Sequence, residues 1–373
     1  MKKIIIIASI LILAACSLET KTPTKTEDNE PNNNDVETII DNDTALPDAE
    51  IIDENNNPDS DKIEPEDNET TDETPDKDIV SDKFLVVFDD KIREETINLI
   101  AAAKKSIDFT TYTFRDTGVV GKLQTAYTKG VKVRGAVGQQ NTEINPTFPI
   151  TYLEDGDNGI MHEKFFIIDG ETSVITSSNF AYNQILNFMV VIKNDPETAA
   201  LLKKEFEQLF AQKNGANKTT YCQDGCDLGW GKLYFSPGSG CDTLTDELKT
   251  EATDKNYIAM YTITDSAPMY NSLTSIIKNG KKLYGIFDSW AGSDGKPVNG
   301  TVLDDLNSLG AEIEYLSRDI TWHHKFFVNN SFLEFGSMNW THSGCSENDE
   351  IFATTKDAFL IDSFKSYIEQ NLN

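Results

Sequence analysis

The sequence predicts an α/β fold: mixed sheets with helices on their faces, built twice along one chain as two homologous halves. Three observations predict it. From residue 83 onward, β-branched and aromatic runs alternate with segments of helical spacing. The order of these runs returns after about 150 residues, as expected of an internal duplication. Each copy also carries a His-x-Lys phrase followed by Ser-x-Asn at the same point in the order.

In the first copy, Phe84-Leu85-Val86-Val87-Phe88 reads as a buried strand. Residues 92–105 have apolar positions at helical spacing and end in Lys104-Lys105. Residues 107–114 are β-branched and aromatic, which predicts a strand. A helix over 119–129 is stopped by Gly130, and 131–137 alternates as a strand. The second copy follows suit. It has strands at 232–236, 257–264 and 282–287, and helices at 244–254, 268–278 and 303–309. Helices at 199–212 and 358–372 close the two copies, and a polar connector at 213–228 joins them.

Charge divides the chain. Residues 17–80 hold 22 acidic residues against four lysines and no aromatic residue, so they cannot form a core. Residues 81–373 hold 40 acidic against 27 basic residues. This balance excludes a generally cationic nucleic-acid binder. The N-terminus, Lys2-Lys3 followed by an apolar run and small residues, reads as an export signal too short to span a bilayer comfortably. Leu13-Ala14-Ala15-Cys16 resembles the lipobox of bacterial lipoproteins. The resemblance implies a lipidated Cys16 and a catalytic part held outside the cytoplasm at the cell envelope, on the outer membrane if the cell is Gram-negative. The expected organisation is a signal peptide at 1–15, lipidated Cys16 and an acidic tether at 16–80, a first half at 81–215 and a second at 216–373.

The chain has four histidines, and two of them open the repeated phrase. One is Met161-His162-Glu163-Lys164-Phe165-Phe166-Ile167-Ile168-Asp169, followed by Ser177-Ser178-Asn179. The other is Trp322-His323-His324-Lys325-Phe326-Phe327-Val328-Asn329-Asn330, followed by Ser337-Met338-Asn339. Residues i and i+2 of a strand share a face, so His162 lies with Lys164 and His323 with Lys325. An imidazole beside an ammonium suits a phosphate site, where Ser hydroxyls and Asn amides can donate to the same oxygens. Two copies supply one imidazole to attack phosphorus and one to protonate the leaving oxygen.

These phrases resemble the HxKxxxxD and GSxN signatures of the phospholipase D superfamily, across all of residues 83–373. The resemblance implies two halves about a pseudo-twofold axis, one shared active site, a phosphohistidine intermediate, and no metal or other cofactor. It assigns catalysis to His162, Lys164, His323 and Lys325, with Ser177, Asn179, Ser337, Asn339, Asp169 and Glu350 in phosphate-binding or supporting places. Thr176 stands where the family prefers Gly, and Asn330 where it has Asp. The first half lacks the later Glu that steadies the histidine, with Asn187 near that place, whereas the second half has Glu350. His162 is the expected nucleophile and His323 the general acid. The roles could be exchanged.

Cys222, Cys226, Cys241 and Cys345 suggest disulfides in an exported protein, with three pairings open and zinc as a competitor. His324 is expected on the opposite strand face from His323, and His342 in a structural place. Trp290, Trp322 and Trp340 are expected in packing. The expected function is phosphodiester cleavage in phospholipid by a monomeric catalytic unit, by hydrolysis or phosphatidyl transfer. An exported nuclease and a catalytically decayed binding protein are the alternatives.

Overall fold

The computed structural model describes residues 79–138, 145–153, 159–180, 185–292, 295–316 and 320–372. The chain divides into two units, Met1–Ser60 and Asp61–Asn373, and every described residue belongs to the second. The signal segment, Cys16 and nearly all of the acidic tether lie outside the described residues.

The first half runs β1 (Ile79–Val80), β2 (Phe84–Phe88), α1 (Lys91–Ala102), β3 (Ser106–Thr111), α2 (Thr117–Thr128) and β4 (Lys132–Val137). It continues with β5 (Ile150–Tyr152), β6 (Phe165–Ile168), β7 (Thr172–Thr176), β8 (Ile185–Leu186), β9 (Phe188–Ile192) and α3 (Pro196–Phe210). The second half runs β10 (Cys226–Asp227), β11 (Lys232–Ser236), α4 (Gly240–Glu251), β12 (Lys255–Met260), α5 (Pro268–Lys278), β13 (Lys282–Phe287), α6 (Gly300–Ser308) and β14 (Glu312–Tyr315). It continues with β15 (Thr321–Trp322), β16 (Lys325–Asn329), β17 (Leu333–Gly336), α7 (His342–Ser346), β18 (Glu350–Thr355) and α8 (Ala358–Asn371).

The expected α/β duplication is present. One sheet is ordered β1-β2-β9-β7-β6-β3-β4-β5, and the other β10-β11-β18-β17-β16-β12-β13-β14. Position by position the two orders match. In each, three strands run parallel (β3-β4-β5, β12-β13-β14) and the remaining pairings are antiparallel. Ile79-Val80, read with the tether, instead forms β1 on the edge of β2, because two β-branched residues extend the ladder. Cys226-Asp227 of the connector does the same beside β11.

The continuous apolar runs after each His-x-Lys follow from burial on both sheet faces. Phe165 and Ile167 enter a core shared with the second half, while Phe166 and Ile168 face α1 and α2. Phe326 and Val328 enter that shared core, and Phe327 faces the side covered by α4 and α5. Leu202, Phe206 and Leu209 of α3 and Leu360, Phe364 and Ile368 of α8 complete the shared core. Asp116 caps α2 through the N–H groups of Gly118 and Val119 and pairs with Arg93 of α1. Asp195 and Pro196 open α3, and Asp357 opens α8.

The cysteines pair as Cys222–Cys226 and Cys241–Cys345. The second bond ties the first turn of α4 to α7, within the loop between Asn339 and Glu350. Its sulfurs pack on Met338 and Met269.

Glu334 of β17 stands where Val174 stands in the first half, fully buried among apolar residues. Burial pushes its carboxyl well above the usual range, and the Trp340 indole and the Phe327 backbone N–H only partly oppose this. In the folded chain it therefore stays protonated where the unfolded chain ionises. Its effect on stability is smallest below the unfolded pKa of about 4.3 and grows more unfavourable as pH rises toward the folded value. Glu334→Met should raise the melting temperature by more at pH 8 than at pH 5. An increment independent of pH, followed by calorimetry, would contradict the assignment.

Candidate active site

The first His-x-Lys phrase lies in extended chain just ahead of β6 and the second runs into β16, whose first residue is Lys325, and each is held by the opposite half. The N–H of His162 donates to the carbonyl of Asp349 (2.9 Å), and that of His323 donates to the carbonyl of Leu186 (2.9 Å). The parallel pairing of β8 with β15 and the Met161–Asp349 bridge extend this stitching. The histidines therefore enter the junction of the halves rather than one half's own core.

Their side-chain partners cross as well. His162 Nδ1 lies 2.7 Å from Glu350 Oε1, and His323 Nδ1 lies 2.9 Å from Asn187 Oδ1. Both acceptors require that Nδ1 carry a ring proton, which in the neutral ring puts the lone pair on Nε2. Ser337 Oγ donates to the other Glu350 oxygen and accepts the N–H of Ile351 (3.0 Å). Ser177 Oγ donates to Asn187 Oδ1 (2.9 Å) and accepts the N–H of Phe188 (3.1 Å). Two buried chains result, Ser337–Glu350–His162 and Ser177–Asn187–His323.

This geometry corrects two expectations. The missing first-half Glu does not weaken His162, because its acidic partner comes from the second half. It is His323 that faces a neutral amide. The serines do not offer their protons to phosphate, since the one hydroxyl proton of each is committed to the histidine's partner. The two imidazoles therefore meet unlike acceptors, a carboxyl group for His162 and an amide for His323.

Lys164 Nζ donates to the His162 carbonyl (2.8 Å), and Lys325 Nζ donates to that of His323 (3.1 Å). Both lysines are fully buried. Asn179 Oδ1 accepts the N–H of Thr113 (3.3 Å), and Asn339 is fully buried in the loop after β17. Thr176, in place of Gly, is accommodated by its hydroxyl, which donates to the Phe188 carbonyl and accepts the Ser178 N–H. At Gly336 a Cβ would meet the Ile351 carbonyl at 2.3 Å.

Asp169 is not brought to the site. At a strand rise of about 3.3 Å per residue it lies roughly 20 Å along the chain from His162. Its carboxylate accepts the N–H groups of Lys104, Lys105 and Ser106 and so ties the β6–β7 hairpin to the turn before β3. Burial raises its pKa, but these three N–H groups outweigh burial and hold it below the usual range. Asn330, its counterpart, is exposed. Buried Asn329 takes over, bonding the Glu251 carbonyl and Asn256. The charge lost at Asn330 is therefore remote from the chemistry.

Sequence reasoning missed the two tyrosines. The ring of Tyr112 lies 5.7 Å from that of His162, and the ring of Tyr261 lies 4.6 Å from that of His323. Their shared Tyr-Thr step, at equivalent places after β3 and β12, was the available signal. Lys325 lies over the Tyr261 ring at 4.9 Å, and half-buried Trp290 stacks on Tyr261 with ring centres 5.8 Å apart. Trp322 and Trp340 are fully buried, as expected. His324 is buried behind the site, 2.9 Å from the Tyr367 hydroxyl, where burial holds its pKa below the usual value. His342 is exposed at the start of α7. Among the described residues, no group of three or more His, Cys, Asp or Glu is arranged to hold a metal ion. No helix among them is long and apolar enough to cross a membrane.

Two matched halves, each giving a His-x-Lys to one junction, define the phospholipase D class of phosphodiesterases and phosphatidyltransferases. The chain matches the family described as cardiolipin synthase, PLD-like domain, over residues 96–210 and 245–372, and it belongs to that family. It is 27% identical over 134 residues to the mitochondrial cardiolipin hydrolase of Homo sapiens, and 26% over 136 residues to that of Canis lupus familiaris. These matches take in 34% of this chain, which spans about half the length of either relative (53% and 54%). Among solved structures, the phosphatidylserine synthase of Haemophilus influenzae Rd KW20 superposes with a TM-score of 0.59 at 12% identity, over 77% of this chain and 85% of that one. The polyphosphate kinase of Porphyromonas gingivalis superposes at 0.56 and 13% identity, over 77% and 46%. At these identities the likeness concerns the fold.

The crossed partners predict unequal effects. Glu350→Gln should lower kcat on an activated phosphodiester about 100-fold or more, within the range of general acid–base contributions. Asn187→Ala should lower it distinctly less. Equal losses in steady-state kinetics would contradict the inequality drawn from the two partners.

Proposed function

We propose that the protein cleaves phospholipid phosphodiesters through a phosphohistidine at His162. The observation that carries this reading is the carboxylate of Glu350 on His162, set against the amide of Asn187 on His323. His162 Nε2 attacks phosphorus as the P–O bond to the leaving alcohol breaks. Protonated His323 gives that oxygen its proton. Neutral His323 then takes a proton from water, or from a second alcohol, whose oxygen attacks phosphorus and breaks the N–P bond. Lys164 and Lys325, with Asn179 and Asn339, hold the non-bridging oxygens. Tyr112 and Tyr261 wall the two imidazoles.

Phospholipid is favoured over nucleic acid for two reasons. The acidic excess of residues 81–373 opposes a polyanion, whose binding rests on neutralised phosphates. The relatives named for cardiolipin and phosphatidylserine chemistry point the same way. Lipidation of Cys16 would hold the site at the envelope membrane, close to such phosphodiesters.

The test sets mixed phospholipid vesicles beside single- and double-stranded DNA at equal enzyme, with and without EDTA. The reading expects release of phosphatidic acid or exchange of headgroup, retained in EDTA and lost in His162→Ala. Faster, His162-dependent cleavage of DNA that persists at moderate salt would overturn the substrate assignment. Activity lost in EDTA and restored by a divalent ion would overturn the mechanism.

A further inference from the structure

Behind the His162 side of the site lies a buried ionic cluster that the chemistry above does not use. Lys218, on the connector between the halves, places its Nζ 3.1 Å from Glu163 Oε1 and 2.8 Å from Asp349 Oδ1. It also reaches Glu205 Oε1 at 2.5 Å and the carbonyl of Ser236 at 2.8 Å. The Lys218 side chain is 4% exposed, and the three carboxylates are 1% exposed or less.

Each carboxylate comes from a different element. Glu205 is on α3. Glu163 stands between His162 and Lys164 in the chain. Asp349 directly precedes Glu350. Asp349 also gives its carbonyl to the His162 N–H, donates its own N–H to the Ile160 carbonyl, and accepts the Gly215 N–H at Oδ1 (2.8 Å). One ammonium thus grips the backbone on both sides of the His162–Glu350 hydrogen bond. Without a cation, three carboxylates would not share this space. Burial and then the nearby Glu205 push the Glu163 carboxyl well up, and burial pushes Asp349 up to about 6.

The device is one-sided. At the positions equivalent to Glu163 and Asp349, the His323 side of the site has His324 and Leu186. His324 packs on Trp322, with ring centres 4.4 Å apart, and Leu186 joins the shared apolar core. The charged group on that side is an anion, Asp89, which accepts the Asn187 N–H at Oδ1 (3.2 Å) and the Tyr367 hydroxyl and lies 3.4 Å from His324 Nε2.

We propose that Lys218 is a positioning residue for the His162–Glu350 pair, holding together through Glu163 and Asp349 the two chain segments that lead into β6 and β18 and bridge at Met161 and Asp349. This rests on the reading of His162 as the nucleophile. A misplacement of about 1 Å at such a pair is enough to cost about 100-fold in rate.

The test uses the full chain and two variants. Lys218→Met removes the cation alone. Lys218→Met/Glu205→Gln also removes one anion and keeps the buried charge balanced if the single variant does not fold. Two readouts are taken on whichever variant melts cooperatively. The first is the hydrogen-bonded Nδ1 proton of His162 by NMR, assigned with His162→Gln among only four histidines. The second is the split between kcat and KM on an activated phosphodiester. The expected result is exchange of the His162 proton at least about tenfold faster, with the His323 proton unaffected. The kcat should fall about 100-fold while KM stays within about threefold. A folded variant with the parent's His162 proton and kcat would overturn the proposal. If neither variant folds, Lys218 is a fold element and the assignment is withdrawn. If the parent protein turns over no phosphodiester, the proposed function fails, while the NMR readout still decides the positioning role.

Discussion

The hydrogen bond from His162 Nδ1 to Glu350 is the constraint on which the rest depends. It joins residues 188 positions apart, one from each half, with both side chains fully buried. A buried carboxylate needs partners for both oxygens, and here they are the imidazole and the Ser337 hydroxyl. Two repeats that each satisfied their own histidine could drift apart. Repeats that exchange the acceptors must dock before either histidine is oriented. The shared core between the sheets and the backbone stitches at Asp349 and Leu186 supply that docking.

Duplication supplies the symmetry, and divergence gives the two imidazoles different partners. The same place in the sheet order holds Glu350 in one copy and Asn187 in the other. The first acceptor is a carboxyl group and the second a neutral amide, so the two rings have unlike partners although their phrases are nearly identical. The surroundings diverge in the same sense. A lysine with three carboxylates backs His162, whereas His324, Trp322, Tyr367 and the single carboxylate of Asp89 back His323.

Much of this was legible in the sequence because the signals are local. The strands at 84–88 and 232–236 and the helices that follow them show in apolar spacing, and the His-x-Lys phrases show as text. What could not be read was contact between distant segments. Glu350 and Asn187 were visible as candidates, but pairing them within their own halves reversed which histidine is weakened. Asp169 was placed with the site by its motif, although its left-handed backbone (φ 56°) and three N–H donors belong to a turn. Strands β9 and β18, Phe188–Ile192 and Glu350–Thr355, escaped notice although both are rich in β-branched residues. Disulfide pairing likewise waited for the fold, since only the packing of α4 on α7 selects Cys241–Cys345.

The central claim is that the crossed carboxylate makes His162 the nucleophile. The most direct measurement uses a phosphodiester with a nitrophenol leaving group, which needs no general acid, and the His323→Asn protein. Peptide mapping by mass spectrometry after rapid quenching should find the phosphoryl group on His162, accumulating because its hydrolysis lacks a base. A phosphorylated His323, found in the parent protein with His162 unmodified or found in His162→Asn, would contradict the account.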